Sequence, residues 1–351
     1  MIKIVYLYCE VMGYTMATIN KLVSENSEIH LVHWDHGKLT PYRFEENNSV
    51  TCYPRSLMNY SSIMELINRV EPELIVVSGW QDRVYLRVCK SLIDLEYKVI
   101  CCFDDQWEGK SKQIIASFFA KIGLVRHFYT HAWVTGNRQY EYARHFGFPK
   151  NRIIFDLYSA DLTLFDKIFQ NSKKEKKAKY PHNFLFVGRI EKIKGLELLR
   201  EVWQGLSQER RGWTCTIVGN GSLKNDFLNT PGFKVIDFQQ PEKLSKIIQN
   251  SGCFILPSFF EPWGVVVHEQ AASGLPLLLS DAVGASDTFL IDSMNGYSFQ
   301  NRNAMSLRSK MIRIIDTSDQ ELYKMSEVSN HLSKRITPET SANNLLSLCG
   351  D

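Results

Sequence analysis

Four charged residues in the second half of the sequence follow predicted strands or lie in predicted helices: Arg189, Lys194, Glu261 and Glu269. Arg189 comes directly after Gly188 at the end of a strand, and Lys194 lies five residues later, near the start of a helix. Two cations beside a helix N-terminus can bind a diphosphate group. A solvated basic loop is the alternative interpretation of these residues.

The two glutamates lie on either side of a loop-to-helix turn. Glu261 belongs to a loop shaped by Pro262 and Gly264, and Glu269 lies eight residues further on, inside the following helix. Carboxylates accept hydrogen bonds from vicinal hydroxyl groups, so one glutamate can bind a sugar while the other binds a ribose. Glutamates at this spacing also occur on ordinary helices. The sequence of the surrounding loop is therefore stronger evidence for a ligand site than the spacing itself.

Two glycines follow another predicted strand, in Val218-Gly219-Asn220-Gly221. They would let the backbone approach a nucleotide closely. The third glycine of the dinucleotide fingerprint would fall at Lys224, which argues against an NAD-dependent oxidoreductase. A strand-to-helix turn without a ligand explains the glycines equally well.

The elements that must position these residues alternate between short apolar strands and amphipathic helices. This alternation predicts an α/β protein with two doubly wound, Rossmann-like domains facing a cleft, where ligands of such sheets bind. The predicted strands are Ile2–Tyr8, Ile29–Trp34, Leu74–Ser78, Lys98–Phe103, Ala132–Thr135, Asn183–Gly188, Thr214–Val218, Lys234–Asp237, Cys253–Leu256 and Leu277–Ser280.

A polar, lysine-rich stretch interrupts the alternation and predicts the domain boundary. We expect an N-terminal domain over residues 1–165, a linker over 166–182, a C-terminal domain over 183–330 and a helical tail over 331–351 that packs back on the N-terminal domain. A polybasic contact to an anionic surface is the alternative role of the lysine run.

Composition excludes several classes of protein. The chain has 351 residues, a net charge of +3, 44% hydrophobic and 23% charged residues, which is ordinary for globular domains and too mildly basic to indicate nucleic-acid binding. The eight cysteines form no CxxC pair, which favours free thiols in the cytoplasm, and we expect no secretory signal and no metal site.

Four motifs in order resemble the donor-binding half of retaining GT-B glycosyltransferases of family 4, also called glycosyltransferase group 1. They are Gly188–Gly195, Val218–Gly221, Pro257–Pro276 and Asn295–Tyr297. The resemblance implies the GT-B fold and transfer of a sugar, as in hexosyltransferases, from a nucleoside diphosphate sugar to an acceptor hydroxyl with retention of configuration. It also implies that no metal or other cofactor is required.

The resemblance assigns a role to each motif. Arg189 and Lys194 would stabilise the leaving diphosphate, Glu261 would hold sugar hydroxyls, and Glu269 would hold the ribose. The remaining residues implied at the donor site are Gly188, Gly219, Gly221, the backbone of Trp263, Gly264 and Val265, and, as weak candidates for the base pocket, Phe238 and Gln239.

The N-terminal half resembles the family more loosely. Gly13 stands where the family has a glycine-rich turn near the donor phosphates. Asp104 and Asp105 stand where the family often has a histidine, so they are weak catalytic candidates facing the sugar or the acceptor. A strand-end aspartate that caps the next helix is the alternative interpretation.

The predicted helix Lys112–Ile122 mixes lysines with isoleucine and phenylalanine and could contact a membrane. A core-packed helix with exposed lysines is the alternative. We expect a UDP- or GDP-sugar donor and a saccharide or lipid-linked acceptor, in cell-surface polysaccharide, lipopolysaccharide or glycolipid synthesis. The expected location is the cytoplasm or the inner face of its membrane. A GT-B nucleotide-sugar epimerase and a non-catalytic nucleotide-sugar-binding subunit are the alternative functions.

Overall fold

The computed structural model describes residues 1–36, 49–120 and 125–350. The chain divides into two compact units. The first comprises Met1–Ser159 and Pro338–Asp351, and the second comprises Ala160–Thr337. Each unit contains one sheet in which every pair of neighbouring strands is parallel. The predicted fold class, two Rossmann-like α/β units, is therefore confirmed.

The first unit has a seven-stranded sheet in the order β3-β2-β1-β4-β5-β6-β7. Its central strands are buried on both faces, which explains their continuous apolar sequences. The strands are β1 (Ile2–Tyr8), β2 (Ser27–His33), β3 (Val50–Pro54), β4 (Leu74–Val77), β5 (Val99–Phe103), β6 (His131–Val134) and β7 (Ile153–Ile154). The helices are α1 (Gly13–Ser24), α2 (Tyr60–Val70), α3 (Arg83–Asp94), α4 (Ser111–Phe119) and α5 (Asn137–His145).

The second unit has a six-stranded sheet in the order β10-β9-β8-β11-β12-β13. Its strands are β8 (Asn183–Val187), β9 (Thr214–Val218), β10 (Phe233–Ile236), β11 (Cys253–Leu256), β12 (Leu277–Ser280) and β13 (Gly296–Phe299). Its helices are α6 (Leu162–Ala178), α7 (Leu196–Gly205), α8 (Lys224–Leu228), α9 (Ser245–Gln249), α10 (Val265–Ala272), α11 (Ser286–Phe289), α12 (Ala304–Asp316) and α13 (Asp319–Ser333).

The predicted linker over residues 166–182 is wrong, because α6 occupies most of it. The Asp161 carboxylate caps this helix by accepting a hydrogen bond from the Leu164 N–H at 3.1 Å. Phe165, Ile168 and Phe169 form a buried stripe at helical spacing. The lysines that follow conceal this stripe in the sequence, and the crossing between the units lies earlier, after Ser159.

The chain returns to the first unit through α14 (Pro338–Leu346). The Thr18 hydroxyl on α1 donates a hydrogen bond to the Ser341 hydroxyl at 3.1 Å, and Ala342 and Leu345 are buried in the first unit's core. The last turns of the predicted tail thus belong to the first unit, whereas its residues before Pro338 belong to the second.

The eight cysteines are free, and six of them are buried. In the described part of the chain, no helix combines the length and the apolar character that a membrane span needs.

Candidate active site

The glycines after β8 and β9 bring two loops of the second unit into direct backbone contact. A Cβ atom on Gly219 would lie 1.8 Å from the carbonyl oxygen of Gly188, so no side chain fits there. The Ile190 N–H donates a hydrogen bond to the Asn220 carbonyl at 2.8 Å, where the same two loops meet. Gly219 and Gly221 are thus required for packing, because a Cβ atom on Gly221 would lie 2.4 Å from the carbonyl oxygen of Ile190.

A carboxylate holds the same two loops together from the side. Glu191 accepts hydrogen bonds from the Ser222 N–H at 2.9 Å and from the Ser222 hydroxyl at 2.6 Å. These bonds, followed by the nearby positive charge of Arg189, lower the pKa of Glu191 below its ordinary value. The sequence motifs did not indicate Glu191, because its partner Ser222 lies 31 residues away.

An ion pair joins the loop after β8 to the loop after β11. The Lys194 ammonium donates to Glu261 Oε2, which also accepts a hydrogen bond from the Ser258 hydroxyl at 3.0 Å. Both members of the pair are mostly buried. The structure therefore brings together two residues that the sequence predicted for different parts of one ligand.

The backbone around this ion pair is held equally closely. Gly195 has a φ of +68°, and a Cβ atom there would lie 1.9 Å from the Pro257 carbonyl oxygen. The Phe259 N–H donates to the Ile193 carbonyl at 2.8 Å, and the Gly284 N–H donates to the Glu261 carbonyl at 2.9 Å. This packing fixes the positions of the ammonium and the carboxylate before any ligand binds.

Arg189 differs from Lys194 because its side chain is exposed. It lies two residues after β8, at the edge of the sheet where the parallel strands end. Ligands of open α/β sheets bind at this edge. The guanidinium can therefore reach a solvent-borne anion without disrupting packed structure.

The helix that carries Glu269 begins without a side-chain cap. Gly264 is the N-cap residue of α10, and the helix runs from Val265 to Ala272. The first N–H groups of a helix lack partners within that helix and attract anions. Trp263 is buried, and its ring packs against the edge of Phe289.

Glu269 occupies a setting that favours its neutral form. Burial, followed by repulsion from the Asp161 carboxylate, raises the pKa of Glu269 to about 7. Neither carboxylate oxygen of Glu269 has a hydrogen-bond partner among residues 1–36, 49–120 and 125–350. An acceptor held without a partner is suited to receive ligand hydroxyl groups.

We expect Glu269→Gln to stabilise the protein at pH 8 and to have little effect at pH 5. The folded-state pKa lies above the ordinary value of 4.5, so the wild type loses stability as the pH rises from 4.5 through about 7. The variant cannot ionise and should gain about 1–3 kcal/mol at pH 8. Urea unfolding at both pH values measures this gain. Glu201→Gln, at an exposed site on α7, is the control, and an equal change at both pH values would contradict the assignment.

His268 is a buried residue of this region to which the sequence motifs assign no role. Its Nδ1 accepts a hydrogen bond from the Ala160 N–H at 3.0 Å, and its Nε2–H donates to the Ser333 carbonyl at 2.8 Å. Burial lowers its pKa to about 4, which keeps the ring neutral. His268 therefore anchors the first residue of the second unit and the end of α13 to the helix that carries Glu269.

Phe238 and Gln239 follow β10, the edge strand beside β9. Both side chains are partly exposed, and the Gln239 amide donates to the Asp237 carbonyl at 3.2 Å. The Gly219 N–H donates to Ile236 at 2.9 Å, so the residues after β10 lie next to the β9 loop. Their assignment to a base pocket remains a prediction.

The first-unit candidates lie at the ends of β1 and β5. Gly13 begins α1, which has no side-chain cap. Asp104 and Asp105 follow β5, and the backbone of Asp104 accepts a hydrogen bond from the Gln139 amide at 2.9 Å. The next helix is α4, whose N-cap is Lys110 without a side-chain cap, so the helix-capping interpretation of the aspartates is wrong.

Asp104 has an aromatic neighbour, Tyr158, that the sequence motifs did not indicate as part of a site. Burial, followed by the charge of Asp104, raises the pKa of Tyr158 well above its ordinary value. The rings of Tyr158 and Tyr14 lie 4.4 Å apart.

Within residues 1–36, 49–120 and 125–350, no three His, Cys, Asp or Glu side chains form a group that could hold a metal ion.

Comparison with solved structures gives matches over almost the whole chain. Sucrose-phosphate synthase of Thermosynechococcus elongatus matches with a TM-score of 0.74 at 14% identity, over 99% of this chain and 98% of that one. HepE of Anabaena, solved with UDP and glucose, matches with a TM-score of 0.70 at 12% identity, over 99% of each chain. The chain has the GT-B fold.

Sequence comparison matches mainly the second unit of this GT-B protein. Residues 167–331 match the family model described as glycosyl transferases group 1. Glycogen synthase of Mycobacterium tuberculosis is 26% identical over 143 residues, which cover 39% of this chain and 34% of that protein. An uncharacterized glycosyltransferase of Haemophilus influenzae is 27% identical over 160 residues, 43% of this chain and 44% of that protein. The matched segment thus spans between a third and a half of these relatives, and together with the fold it supports a glycosyltransferase.

Proposed function

We propose that this protein is a retaining glycosyltransferase that moves a sugar from a nucleoside diphosphate sugar to an acceptor hydroxyl. The observation that carries the proposal is the arrangement around the Lys194–Glu261 ion pair, at the edge where the second unit's parallel strands end. Arg189 follows the adjacent strand, and the uncapped start of α10 comes three residues after Glu261. Cations, a carboxylate and unpartnered N–H groups are the chemical complement of a diphosphate joined to a sugar.

The cationic groups are assigned to the diphosphate. Negative charge develops on this leaving group as its bond to the sugar breaks, so fixed cations stabilise the transition state more than the ground state. Lys194 is held in place by Glu261 and is therefore preorganised. Arg189 is exposed and can form a bidentate contact with phosphate oxygens.

The carboxylates are assigned to hydroxyl groups. Glu261 uses Oε2 for Lys194 and Ser258, which leaves Oε1 to accept from the sugar. Glu269 has no hydrogen-bond partner among the described residues and is assigned to the ribose. A residue in each role keeps the sugar and the nucleoside in fixed positions relative to the cations.

The proposed reaction breaks the bond between the anomeric carbon and the diphosphate oxygen and forms a bond to the acceptor oxygen. The acceptor's proton leaves with the nucleoside diphosphate. Retention of configuration rests on the resemblance of the four sequence motifs. We further propose, on the same resemblance, that the reaction is of the hexosyltransferase type and needs no metal or other cofactor.

Nucleotides present in similar structures support the donor class. HepE of Anabaena was solved with UDP-glucose, and the catalytic domain of starch synthase IV from Arabidopsis thaliana was solved with ADP and acarbose. We propose a UDP- or GDP-sugar as the donor and assign the acceptor to the first unit. The acceptor class proposed is a saccharide or lipid-linked saccharide of the cell surface, used at the cytoplasmic face of the membrane.

Thermal-shift measurements with UDP-, GDP-, ADP- and dTDP-sugars test the proposed donor site. A ligand present at 100 times its Kd adds about 2.7 kcal/mol to the free energy of unfolding. A UDP- or GDP-sugar should therefore raise the melting temperature of the protein more than the other nucleotide sugars do. Arg189→Ala should diminish this shift, whereas Lys192→Ala, an exposed cation in the same loop, should preserve it. Equal shifts with NAD, or none with any nucleotide sugar, would contradict the proposal.

A further inference from the structure

Helix α4 exposes its large apolar side chains and buries a polar one, Ser117, which is the reverse of an ordinary surface helix. Ile114, Ile115, Phe118 and Phe119 are exposed by 54%, 59%, 64% and 50%. Large apolar side chains in such a contiguous exposed group mark an interaction surface. The sequence-based alternative of a core-packed helix with exposed lysines is therefore wrong.

The side of α4 that faces the protein is polar or small. The Ser117 hydroxyl donates a hydrogen bond to the His145 carbonyl at 2.6 Å. The Gln113 side chain donates to the Gln106 carbonyl at 3.0 Å and accepts from the Glu108 N–H at 2.8 Å. Hydrogen bonds thus fix the orientation of the helix and hold its apolar side outward.

The surroundings of this apolar face are basic. Residues 107–130 contain four lysines and arginines, namely Lys110, Lys112, Lys121 and Arg126, and one acidic residue, Glu108. Glu108 forms an ion pair with Lys110 at 2.7 Å. Lys112 and Arg126 are exposed, whereas Lys121 and Ile122, the end of the predicted helix, lie outside the described residues.

We propose that α4 docks this protein on the surface of an anionic lipid bilayer. The helix lies in the plane of the interface, Ile114, Ile115, Phe118 and Phe119 enter the boundary between headgroups and acyl chains, and the flanking cations contact anionic headgroups. If the proposed function holds, this partner specifies its acceptor as a lipid-linked molecule. The docking itself does not require catalysis.

A bilayer fits this surface better than a second protein chain does. A stable protein interface buries about 800 Å² on each partner, which is more than one face of a nine-residue helix supplies. A bilayer does not need such an area, because apolar insertion and charge attraction are sufficient.

Co-sedimentation with vesicles tests the proposal on the whole 351-residue chain. Vesicles of phosphatidylcholine mixed with phosphatidylglycerol should bind the protein, and added salt should weaken the binding. Ile115→Ser combined with Phe118→Ser should reduce the partition coefficient about tenfold or more. Lys112→Glu should reduce it by about fivefold or more.

Matched variants separate this surface from general effects. Leu228→Ser with Met305→Ser removes exposed apolar side chains of the second unit, and Lys90→Glu removes an exposed cation on α3. Both should retain vesicle binding. The donor-induced thermal shift should be unchanged in every α4 variant, so failure of docking and failure of the proposed function remain distinguishable.

Three results would overturn docking on an anionic bilayer. One is the absence of sedimentation with anionic vesicles, and another is equal binding by the wild type and the Ile115→Ser, Phe118→Ser variant. The third is a lipid-free dimer, seen by light scattering, that this variant converts to a monomer, because the apolar face would then be an interface between two copies of the chain.

Discussion

Replacing Arg189 with alanine is expected to reduce kcat for sugar transfer by about 100- to 1000-fold, the usual effect of losing one group that stabilises developing charge. The guanidinium is exposed and lies at the edge where the sheet's strands end. Its loss therefore removes a cation from the leaving diphosphate without opening a cavity. Steady-state release of nucleoside diphosphate measures the change.

The control for Arg189→Ala is Lys192→Ala. Lys192 is also an exposed cation in the loop after β8, but neither the sequence motifs nor the structure assign it to the ligand. We expect nearly normal turnover for this variant. Both variants should unfold within about 0.5 kcal/mol of the wild type, as surface substitutions usually do. Turnover like that of the wild type in Arg189→Ala would remove this residue from the site.

Lys176→Met is expected to stabilise the second unit by about 1–4 kcal/mol at pH 7 or below. Lys176 is buried in α6, and its ammonium nitrogen has no hydrogen-bond partner among the described residues. The nitrogen lies 5.8 Å from the centroid of the Tyr180 ring. Burial lowers the pKa of Lys176 to about 7, so the folded state resists protonation that the unfolded state accepts.

The pH dependence of this gain distinguishes a charge effect from a packing effect. Between pH 7 and the ordinary lysine value of 10.5, only the unfolded state is protonated at this position, so wild-type stability rises with pH. The advantage of methionine should be full below pH 7 and should shrink as the pH approaches 10.5. Lys174→Met, at an exposed position on the same helix, should change little. A gain independent of pH would contradict the account.

The sequence predicted the strands well because their apolar runs are short and buried. The prediction for β1 has the observed bounds, Ile2–Tyr8, and those for β9, β11 and β12 also agree with the structure. Three edge strands, β3, β7 and β13, were missed, and β7 has only two residues, which carry too little periodicity to detect. A parallel sheet with interleaved helices therefore followed from pattern alone.

The boundary between the units was harder to predict from sequence. The lysine-rich sequence at the end of α6 is typical of a linker. The start of the helix, however, carries buried apolar residues at helical spacing, beginning with Phe165. The return of α14 to the first unit depends on contacts such as Thr18 with Ser341, which are 323 residues apart. Local patterns contain no information on such pairing.

The candidate site shows the same division between local and long-range information. Sequence motifs located Arg189, Lys194, Glu261 and Glu269 individually. The structure added the ion pair of Lys194 with Glu261, which joins residues 67 positions apart. It also added the two backbone bonds of His268, a residue whose neutral, buried state depends on the packing around it.

Product analysis of each nucleotide sugar with this protein tests the central proposal most directly. The protein is incubated with each donor in EDTA, with and without a lipid and glycan extract, and the products are resolved by NMR. We expect one donor class to release its nucleoside diphosphate and the sugar to appear with its original anomeric configuration on an acceptor. Arg189→Ala should suppress this release. An epimerised but intact nucleotide sugar, or a donor that binds and is never cleaved, would contradict a glycosyltransferase.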